Sequence, residues 1–382
     1  MIFRILEDQL AQKARDSQDA DRRYMQLALT LGRRGQGRTW PNPAVGAVIV
    51  KDGVIVGRGW TQPGGRPHGE PEALRRAGAA ARGATLYVTL EPCSHFGRSP
   101  PCADAVIAAG IARVVSAIED PNPEVAGQGH ARLRAAGIAV DIGLCAEQAA
   151  YDHSGHFRRI RDKRPHVILK LAASPDGKIA AAGGKTVAIT GEAVRDRVHL
   201  LRAQCDAILV GIGTVLADDP LLTCRLPGME ARSPVRVVLD RNLRIPASSR
   251  LVHTARGTPL WLIGSELAEA AAATRLGAAG AQIMRLPSSS APGLDLGALL
   301  QMLAEKGITR LMVEGGSRVA SSFVAADLVD EVWLFRGAEA IGADGVDALA
   351  AFPLSKITQS QVFKVHASET FDEDTLTIYE RA

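Results

Sequence analysis

Four side chains that suit a zinc centre lie close together in the sequence between His68 and Cys102. His68 is followed by Glu70, and Cys93 and Cys102 belong to the stretch LEPCSHFGRSPPC. One imidazole and two thiolates supply three protein ligands and leave the fourth position open for water, which is the arrangement of catalytic zinc sites. We therefore expect His68, Cys93 and Cys102 to bind Zn²⁺ and Glu70 to lie beside the water.

The order of these residues is typical of zinc-dependent base deaminases, in which H-x-E is followed by P-C and a second cysteine. In that chemistry zinc lowers the pKa of its water and the glutamate transfers protons, so Glu70 is the predicted catalytic residue. Eight residues separate Cys93 from Cys102, whereas the general pattern has two. A structural zinc site would need a fourth protein ligand, for which His95 is a candidate, but it would leave Glu70 without a role.

Length and composition limit the possible functions. A chain of 382 residues suggests two or three domains at roughly 150 residues each. The formal net charge is only +4 and aromatic residues make up 4%, so we expect no nucleic-acid partner. No apolar run reaches the ~18 residues of a membrane span, and no signal-peptide pattern is present. Five cysteines without a secretion signal indicate a reducing, cytoplasmic location.

A segment without apolar periodicity, HSGHFRRIRDKRPH, separates two halves of the chain. We therefore predict an α/β protein with two different domains. The predicted divisions are an N-terminal extension over 1–20, a deaminase domain over 21–151, a linker over 152–165 and a second α/β domain over 166–382.

In the first half, PNPAVGAVIVKDGVIVGRGW predicts two strands joined by a turn at Lys51-Asp52-Gly53. Strands and helices alternate after it, which indicates an α/β sandwich. His68 and Cys102 are each predicted near the start of a helix. The helix dipole there favours a thiolate and other negative charge.

In the second half, apolar runs alternate with amphipathic segments, which predicts an open, mostly parallel sheet. The strand candidates are HVILKLAAS, DAILVGIGTV, VRVVLD, PLWLIG, RLMVEGG and EVWLF, and helices are predicted over 192–204, 266–277, 295–306 and 317–326. Gly211 and Gly213 follow a strand but lack the third glycine of a dinucleotide fingerprint. Gly316 begins a serine-rich helix whose N–H groups could hold a phosphate, although an ordinary strand–helix turn has the same pattern.

Several motifs resemble the family of bifunctional riboflavin-biosynthesis deaminase–reductases. PNPAVGAVIV, H-x-E, TLEPCSHFGRSPPC and EDPNPEVAGQG resemble its deaminase half, and the long gap between the cysteines belongs to that family's pattern. KLAAS-DGK, LLRAQCDAILVGIGTVLADDPLLTCRLP and VEGGS resemble its reductase half. The resemblance covers roughly residues 21–380. It implies a cytidine-deaminase-like α/β/α sandwich followed by a dihydrofolate-reductase-like domain.

The resemblance also implies the reactions. The first is hydrolytic deamination of 2,5-diamino-6-(5-phosphoribosylamino)pyrimidin-4-one, and the second is reduction of the ribosyl group of the product to ribityl by NADPH. The residues implied to contact NADPH are Ala172, Ala188, Thr214, Asp218, Gly316, Ser317, Arg318, Val319, Ala320, Ser321 and Ser322. The residues implied to contact the reductase substrate are Thr186, Arg202, Leu222, Arg225 and Glu314, with the two arginines holding its phosphate. Lys170 and Asp176 are candidate polar supports near the reacting carbon.

Two further residues are candidates for contact with the deaminase substrate. Asn42, between two prolines, is either a base-reading amide or a turn residue. Arg98 is either a phosphate ligand or a solvent-facing loop cation.

Some positions depart from the family pattern. Glu72 replaces a second histidine, Gly69 and Pro71 replace alanine and valine, and we expect Glu72 to change the polarity of the pocket. In the second half Pro175 replaces leucine, and Ala338 and Glu339 replace a Pro–Lys pair. Ala188 replaces a tryptophan, which we expect to weaken NADPH binding.

Two alternatives remain open at this point. The first half could be a nucleoside or tRNA deaminase, and the second half could be a non-catalytic NADP-binding or dimerisation module. We expect a homo-oligomer, a dimer or tetramer, because reductase domains of this kind often pair through an edge strand.

Overall fold

The computed structural model describes residues 2–97, 99–287 and 293–382, with side chains described from residue 18 onward. It divides into two compact units, Met1–Asp162 and Lys163–Ala382. The boundary falls inside the segment 152–165, which was predicted as a linker and which contains a helix, Ser154–Asp162. Within the described residues, none of the helices has both the length and the apolar character that crossing a bilayer requires.

Unit 1 is built on one five-stranded sheet. Its strands are β1 (Gly46–Lys51), β2 (Val54–Trp60), β3 (Thr85–Val88), β4 (Arg113–Ser116) and β5 (Ala139–Ile142). The strand order is β2-β1-β3-β4-β5. β1 is antiparallel to both neighbours, and β3, β4 and β5 are parallel.

Helices cover both faces of this sheet. They are α1 (Ile2–Arg33), α2 (Gly69–Ala77), α3 (Cys102–Ala108), α4 (Gln128–Ala135), α5 (Ala146–Asp152) and α6 (Ser154–Asp162). Val48 packs with residues of α1 and α5 on one face, whereas Ile49 packs with residues of α2, α3 and α4 on the other. This alternation makes unit 1 an α/β/α sandwich. The helix predicted from Asp21 is part of α1, which also spans the segment predicted as an extension.

The predicted hairpin at the start of unit 1 is confirmed. Asp52 and Gly53 have φ values of 50° and 77°, the two left-handed positions that a tight hairpin turn requires. Gly59 on β2 is needed for close packing, because an added Cβ would lie 2.4 Å from the backbone oxygen of Gly69. The first turn of α2, which follows His68, therefore lies directly on β2.

Unit 2 is built on a nine-stranded sheet. Its strands are β6 (His166–Ala173), β8 (Ala207–Gly211), β9 (Val235–Leu239), β10 (Leu260–Ser265), β11 (Gln282–Leu286), β12 (Arg310–Val313), β13 (Glu331–Arg336), β15 (Phe363–Phe371) and β16 (Asp374–Arg381); β7 (Lys178–Ala180) and β14 (Val346–Asp347) form a separate pair. The strand order is β11-β10-β9-β8-β12-β6-β13-β16-β15. Among the described strands of this sheet, only the two pairings of β16, with β13 and with β15, are antiparallel, so the predicted mostly parallel sheet is confirmed.

The helices of unit 2 connect these strands. They are α7 (Glu192–Gln204), α8 (Ile212–Asp218), α9 (Arg250–His253), α10 (Ala270–Ala278), α11 (Leu296–Glu305), α12 (Ser317–Ala325) and α13 (Ser355–Thr358). Val167, Ile168 and Leu169 on β6 are all fully buried, which shows that both faces of the sheet are covered. The strand predicted over DAILVGIGTV ends at Gly211, where its neighbour β9 also ends, and the chain turns into α8.

Candidate active sites

The three predicted zinc ligands come together in unit 1. His68 is the N-cap of α2, Cys102 is the first residue of α3, and Cys93 lies in the segment after β3. The Nδ1 atom of His68 lies 3.3 Å from Sγ of Cys102 and 3.8 Å from Sγ of Cys93. His95 is not a member of this group, so the structure offers no closed site of four protein ligands among the residues it describes.

These distances fit a zinc ion. With Zn–N near 2.0 Å and Zn–S near 2.3 Å, the N···S edge of a tetrahedron is about 3.5 Å, and the two observed distances lie on either side of that value. The backbone N–H of Cys102 also donates to Sγ of Cys93, at 3.3 Å. Hydrogen bonding to the Cys102 thiol lowers the pKa of Cys93 well below its usual range, against the opposing effect of burial. One imidazole nitrogen and two cysteine thiolates are donors that suit Zn²⁺.

Glu70 lies beside this group in the first turn of α2. Its side chain is buried, and no described residue hydrogen-bonds its Oε2 atom. Burial raises the pKa of Glu70 to about 7, although the neighbouring His68 acts in the opposite direction. A carboxyl group with a pKa near neutrality can both accept and return a proton.

Glu91 holds together the backbone next to Cys93, a role that sequence reasoning missed. Its carboxylate accepts hydrogen bonds from the backbone N–H groups of Asp120, Gly127 and His130, at 3.2, 3.0 and 3.1 Å. Asp120 in turn contacts His156 of α6 at 3.0 Å. The sequence signal was the acidic residue between a buried strand and Pro92 in TLEPC. Through these hydrogen bonds Glu91 fixes the loop EDPNPEVAGQG against the segment that carries Cys93.

Other predicted residues of unit 1 have structural partners. Asn42 donates from Nδ2 to the backbone oxygen of Gly65 at 3.0 Å, so it holds the loop that precedes His68. Glu72 forms ion pairs with Arg75 and Arg76 at 2.8 and 2.7 Å. The charge of Glu72 is therefore compensated on its own helix, and the expectation that Glu72 changes the polarity of the pocket stays a prediction. Arg98 lies outside the described residues.

A cleft of about 830 Å³ in unit 2 lies at the ends of β8, β9 and β12. Most of the residues implied to contact NADPH line it, together with Thr186: Thr214, Asp218, Gly316, Ser317, Arg318, Val319 and Ser322. Gly213 also lines it, and nothing lies within 4 Å of the position that a Cβ would occupy there. Bare backbone and the N-terminus of α12 at the carboxyl edge of parallel strands form a surface that suits a nucleotide.

Four of the implied NADPH residues do not line this cleft: Ala172, Ala188, Ala320 and Ser321. Ala320 is completely buried in α12, and the Ser321 hydroxyl accepts from the backbone N–H of Ala351 at 3.1 Å. Sequence reasoning also missed one side of the cleft, formed by Leu239, Arg241, Asn242, Arg244 and residues 293–297. The basic segment after β9 could have been found, since neighbouring parallel strands end at the same edge.

Two of the residues implied to bind the reductase substrate, Arg202 and Glu314, form an ion-pair cluster with Lys170. Arg202 donates from Nη2 to both carboxylate oxygens of Glu314, at 2.9 and 2.8 Å, and from Nε at 3.1 Å. Lys170 lies 3.4 Å from the same carboxylate. Burial acts to raise the pKa of Glu314, but Arg202 and Lys170 overcome it and hold the pKa at about 2. The guanidinium of Arg202 is thus hydrogen-bonded to Glu314. This arrangement differs from the expectation that Arg202 holds the substrate phosphate.

Leu222 and Thr186, which were also implied to bind this substrate, and Asp176, which was predicted as a polar support, lie outside the ion-pair cluster. The side chain of Leu222 belongs to the hydrophobic core, so only its backbone is left for a ligand. Thr186 donates to Asp218 at 2.8 Å across the cleft wall. Asp176 accepts hydrogen bonds from the backbone N–H groups of Ile341 and Gly342 at 3.2 and 2.8 Å. It therefore links the loop after β6 to the loop after β13.

Comparison with known protein families assigns both units. The family described as the RibD C-terminal domain matches residues 165–377. The family described as the cytidine and deoxycytidylate deaminase zinc-binding region matches residues 18–118.

Relatives match over nearly the whole chain. The riboflavin biosynthesis protein RibD of Aquifex aeolicus is 40% identical over 363 residues, which cover 95% of this chain and 99% of the relative. The protein of the same name from Escherichia coli is 42% identical over 355 residues, which cover 90% and 95% of the two chains.

Solved structures agree with these matches. RibD of Acinetobacter baumannii has a TM-score of 0.84 and 35% identity, covering 96% of this chain and 99% of its own. The Thermotoga maritima diaminohydroxyphosphoribosylaminopyrimidine deaminase/5-amino-6-(5-phosphoribosylamino)uracil reductase has a TM-score of 0.83 and 36% identity, covering 96% and 100%. The predicted fold class, a cytidine-deaminase-like sandwich followed by a dihydrofolate-reductase-like domain, is confirmed.

Proposed function

Since the chain belongs to the RibD family of riboflavin biosynthesis proteins and is therefore a bifunctional deaminase and reductase, we propose a substrate and a set of functional residues for each unit. Unit 1 removes ammonia from 2,5-diamino-6-(5-phosphoribosylamino)pyrimidin-4-one. Unit 2 reduces the ribosyl group of the resulting 5-amino-6-(5-phosphoribosylamino)uracil to ribityl. The likeness to the Thermotoga maritima deaminase/reductase, which is 36% identical to this chain and whose name contains both compounds, supports both substrates.

In unit 1, His68, Cys93 and Cys102 would hold the zinc ion. Zinc, when bound there, supplies a Lewis acid that makes a water molecule nucleophilic near neutral pH. Glu70 accepts a proton from the attacking water and delivers it to a ring nitrogen. It then takes the remaining proton from the hydroxyl group added to the ring carbon and passes it to the leaving amine. The net change replaces the C–NH₂ group by C=O and releases ammonia, with one water consumed.

The observation that supports this assignment is the buried carboxylate of Glu70 beside three converging metal donors. The test is metal analysis of the purified protein combined with ammonia release from the diaminopyrimidinone phosphate. We expect one zinc per chain and ammonia release that depends on it. A protein that releases ammonia without bound metal would contradict the assignment.

In unit 2 the cofactor is a pyridine nucleotide, and we propose that it is NADPH. The nicotinamide, when bound, supplies a hydride, and the protein orients it. The backbone N–H groups of Ser317 and Arg318, in the first turn of α12, hold phosphate oxygens, because the N–H of Gly316 donates to the Thr214 hydroxyl at 3.2 Å. Arg241 and Arg244 line the same cleft and supply positive charge for the additional phosphate that distinguishes NADPH from NADH.

The reductase substrate lies next to the cofactor. Thr186 lines the same cleft, and we propose that Arg225 binds the substrate phosphate, since Arg202 is paired with Glu314. Lys170 and Glu314 supply a charged hydrogen-bonding pair near the sugar. Mixing the protein with deaminated substrate and NADPH should oxidise NADPH and yield the ribityl product. Absence of oxidation would favour a non-catalytic module, an alternative that the match to the RibD C-terminal domain does not favour.

The remaining expectations concern location and partners. We propose that the protein works in the cytoplasm, which its five free cysteines support. We further propose a dimer or tetramer, because β15 is an edge strand with Val365 exposed. Light scattering measures the molar mass of the assembly and would test this proposal. We propose no nucleic-acid partner, and retention on an RNA column at low salt would contradict this.

A further inference from the structure

A short segment of unit 2, Leu222–Arg225, has a backbone that needs outside support. Leu222 has a φ of 55°, a left-handed conformation that is unfavourable for a side chain larger than glycine, and its side chain is buried. The segment carries Arg225, which we assigned above to the substrate phosphate. The inference below therefore rests on the proposed reductase function.

Helix α7 supports this segment through two residues on one face, His199 and Arg202. The Nδ1 atom of His199 lies 3.1 Å from the backbone oxygen of Thr223 and 3.3 Å from the backbone nitrogen of Arg225. A neutral imidazole holds the segment in either tautomer, because Nδ1 either donates to Thr223 or accepts from Arg225. Arg202 adds a hydrogen bond from Nη1 to the same oxygen of Thr223, at 3.2 Å.

Arg202 has little capacity left for a ligand. Of its five N–H donors, those on Nε and Nη2 hydrogen-bond Glu314 and one on Nη1 hydrogen-bonds Thr223. One N–H remains, so Arg202 could not hold a phosphate bidentately without releasing Glu314. The strong contacts to the phosphate must come from another residue.

Arg225 has the complementary environment. Within the described part of the chain, its exposed guanidinium has no ion pair or hydrogen bond. The charged groups that face it are Arg202 on α7, Arg250 on α9 and Glu314 after β12. Burial and the two neighbouring arginines lower the pKa of Arg225, and a bound anion would relieve this repulsion.

We propose that His199 is a positioning residue for the phosphate of the reductase substrate, acting through the backbone of Thr223–Arg225. It fixes the segment so that the Arg225 guanidinium faces the phosphate. It does not touch the reacting carbon or the cofactor. Its contribution is therefore to substrate binding and not to hydride transfer.

The test compares His199→Ala, His199→Asn and Arg225→Ala in the full-length protein, measured by NADPH oxidation. The substrates are the deaminated phosphoribosylaminouracil and the same compound without its phosphate. For His199→Ala we expect the KM for the phosphorylated substrate to rise about tenfold, as for loss of a hydrogen bond that supports a charged contact, with kcat and the KM for NADPH unchanged. His199→Asn, whose amide can occupy the Nδ1 position, should restore most of the affinity.

Two comparisons separate positioning from a general structural role. The KM for the unphosphorylated substrate should be unchanged by His199→Ala, and His199→Ala should add nothing to Arg225→Ala in the double variant. Arg195→Ala, at an exposed position on the same helix as His199, is the matched control and should behave as the wild type. Equal losses with both substrates, or additive effects in the double variant, would overturn the proposal. If the wild type oxidised no NADPH with either substrate, the proposed function itself would fail instead.

Discussion

Glu70 and Glu72 lie two positions apart on α2 and have opposite environments. Both are buried, with exposed fractions of 3% and 7%. Glu72 is neutralised by Arg75 and Arg76, whereas no described residue hydrogen-bonds Oε2 of Glu70. A buried carboxylate with an oxygen atom left without a partner is costly, and active sites are where such groups are retained. Glu70 is thus the one suited to proton transfer.

We predict that Glu70→Gln retains zinc but lowers ammonia release by a factor of about 10²–10⁴, the usual contribution of general acid–base catalysis. Glutamine keeps the shape of the side chain and removes the proton-accepting oxygen. Glu72→Gln, on the same helix, should release ammonia at a nearly normal rate. Both variants are measured by metal content and ammonia release. Unchanged turnover in Glu70→Gln would refute the assigned role.

A second prediction concerns the thiols. Cys102→Ser should lose most of the bound zinc, because a serine hydroxyl replaces a thiolate ligand at the start of α3. Cys145→Ser, at a free cysteine outside the ligand group, should keep it. Metal content by elemental analysis distinguishes the two, and equal zinc in both variants would contradict the ligand assignment.

The sequence could predict those site residues that lie close to one another along the chain. His68, Glu70, Cys93 and Cys102 lie within one helix–strand–helix segment, α2–β3–α3, so their spacing in the sequence is enough to predict that they come together. The partner of Arg202 could not be predicted this way, because Glu314 lies 112 residues further along the chain, after β12. Only the sheet order, in which β12 neighbours β8, places it beside α7. The burial of Leu222 could not be predicted either, because it depends on how Leu222 packs in the hydrophobic core of unit 2.

Among the helices and strands, too, those with a clear local pattern were predicted and those that depend on neighbouring strands were not. The bounds of α7 match the predicted helix, in which Val194, Val198 and Leu201 lie buried at helical spacing. The hairpin β15–β16 was not predicted, because its strands alternate polar and half-buried residues with few apolar runs. The stretch after Gly211 reads as strand from its composition. It becomes α8 because no neighbouring strand continues to pair with it.

The loop after β9 carries a prediction about cofactor choice. Arg241 and Arg244 follow a strand end that faces the nucleotide cleft, and we expect them to bind the phosphate found only in NADPH. The double variant Arg241→Ala/Arg244→Ala should lose at least about tenfold in kcat/KM for NADPH, since each charge-assisted hydrogen bond is worth about 1.5 kcal/mol or more. The kcat/KM for NADH should change little.

Arg195→Ala, an exposed cation on α7 that does not line the cleft, is the matched control for this experiment. Equal losses with NADPH and NADH would contradict the phosphate assignment.

The amino ends of β6 and β13 carry a prediction about acid stability. Glu331 is fully buried, contacts Trp333 and lies 3.0 Å from His166. Burial acts to raise the pKa of Glu331, but the hydrogen bond from His166 and neighbouring charges hold it at about 2, below the ordinary value of 4.5. The carboxylate therefore contributes stability above about pH 4.5, roughly 3 kcal/mol, which is lost as the pH falls towards 2.

Accordingly, Glu331→Gln should lower the free energy of unfolding of unit 2 at pH 7 by about 3 kcal/mol and flatten its decrease between about pH 4.5 and pH 2. Glu339→Gln, at an exposed position, should leave both quantities unchanged. Calorimetric unfolding as a function of pH measures them. A variant as acid-sensitive as the wild type would show that Glu331 does not set the dependence.

For the whole molecule, the metal donors and the nucleotide cleft belong to different compact units with separate sheets. The donors of the metal group all lie between residues 68 and 102, and the cleft is lined by residues from 179 onward. Removing zinc with a chelator should therefore abolish ammonia release while NADPH oxidation with the deaminated substrate continues at an unchanged rate. Adding zinc back should restore the first reaction alone. If chelation stopped both reactions, the two chemistries would share a metal, and the assignment of zinc to unit 1 alone would be wrong.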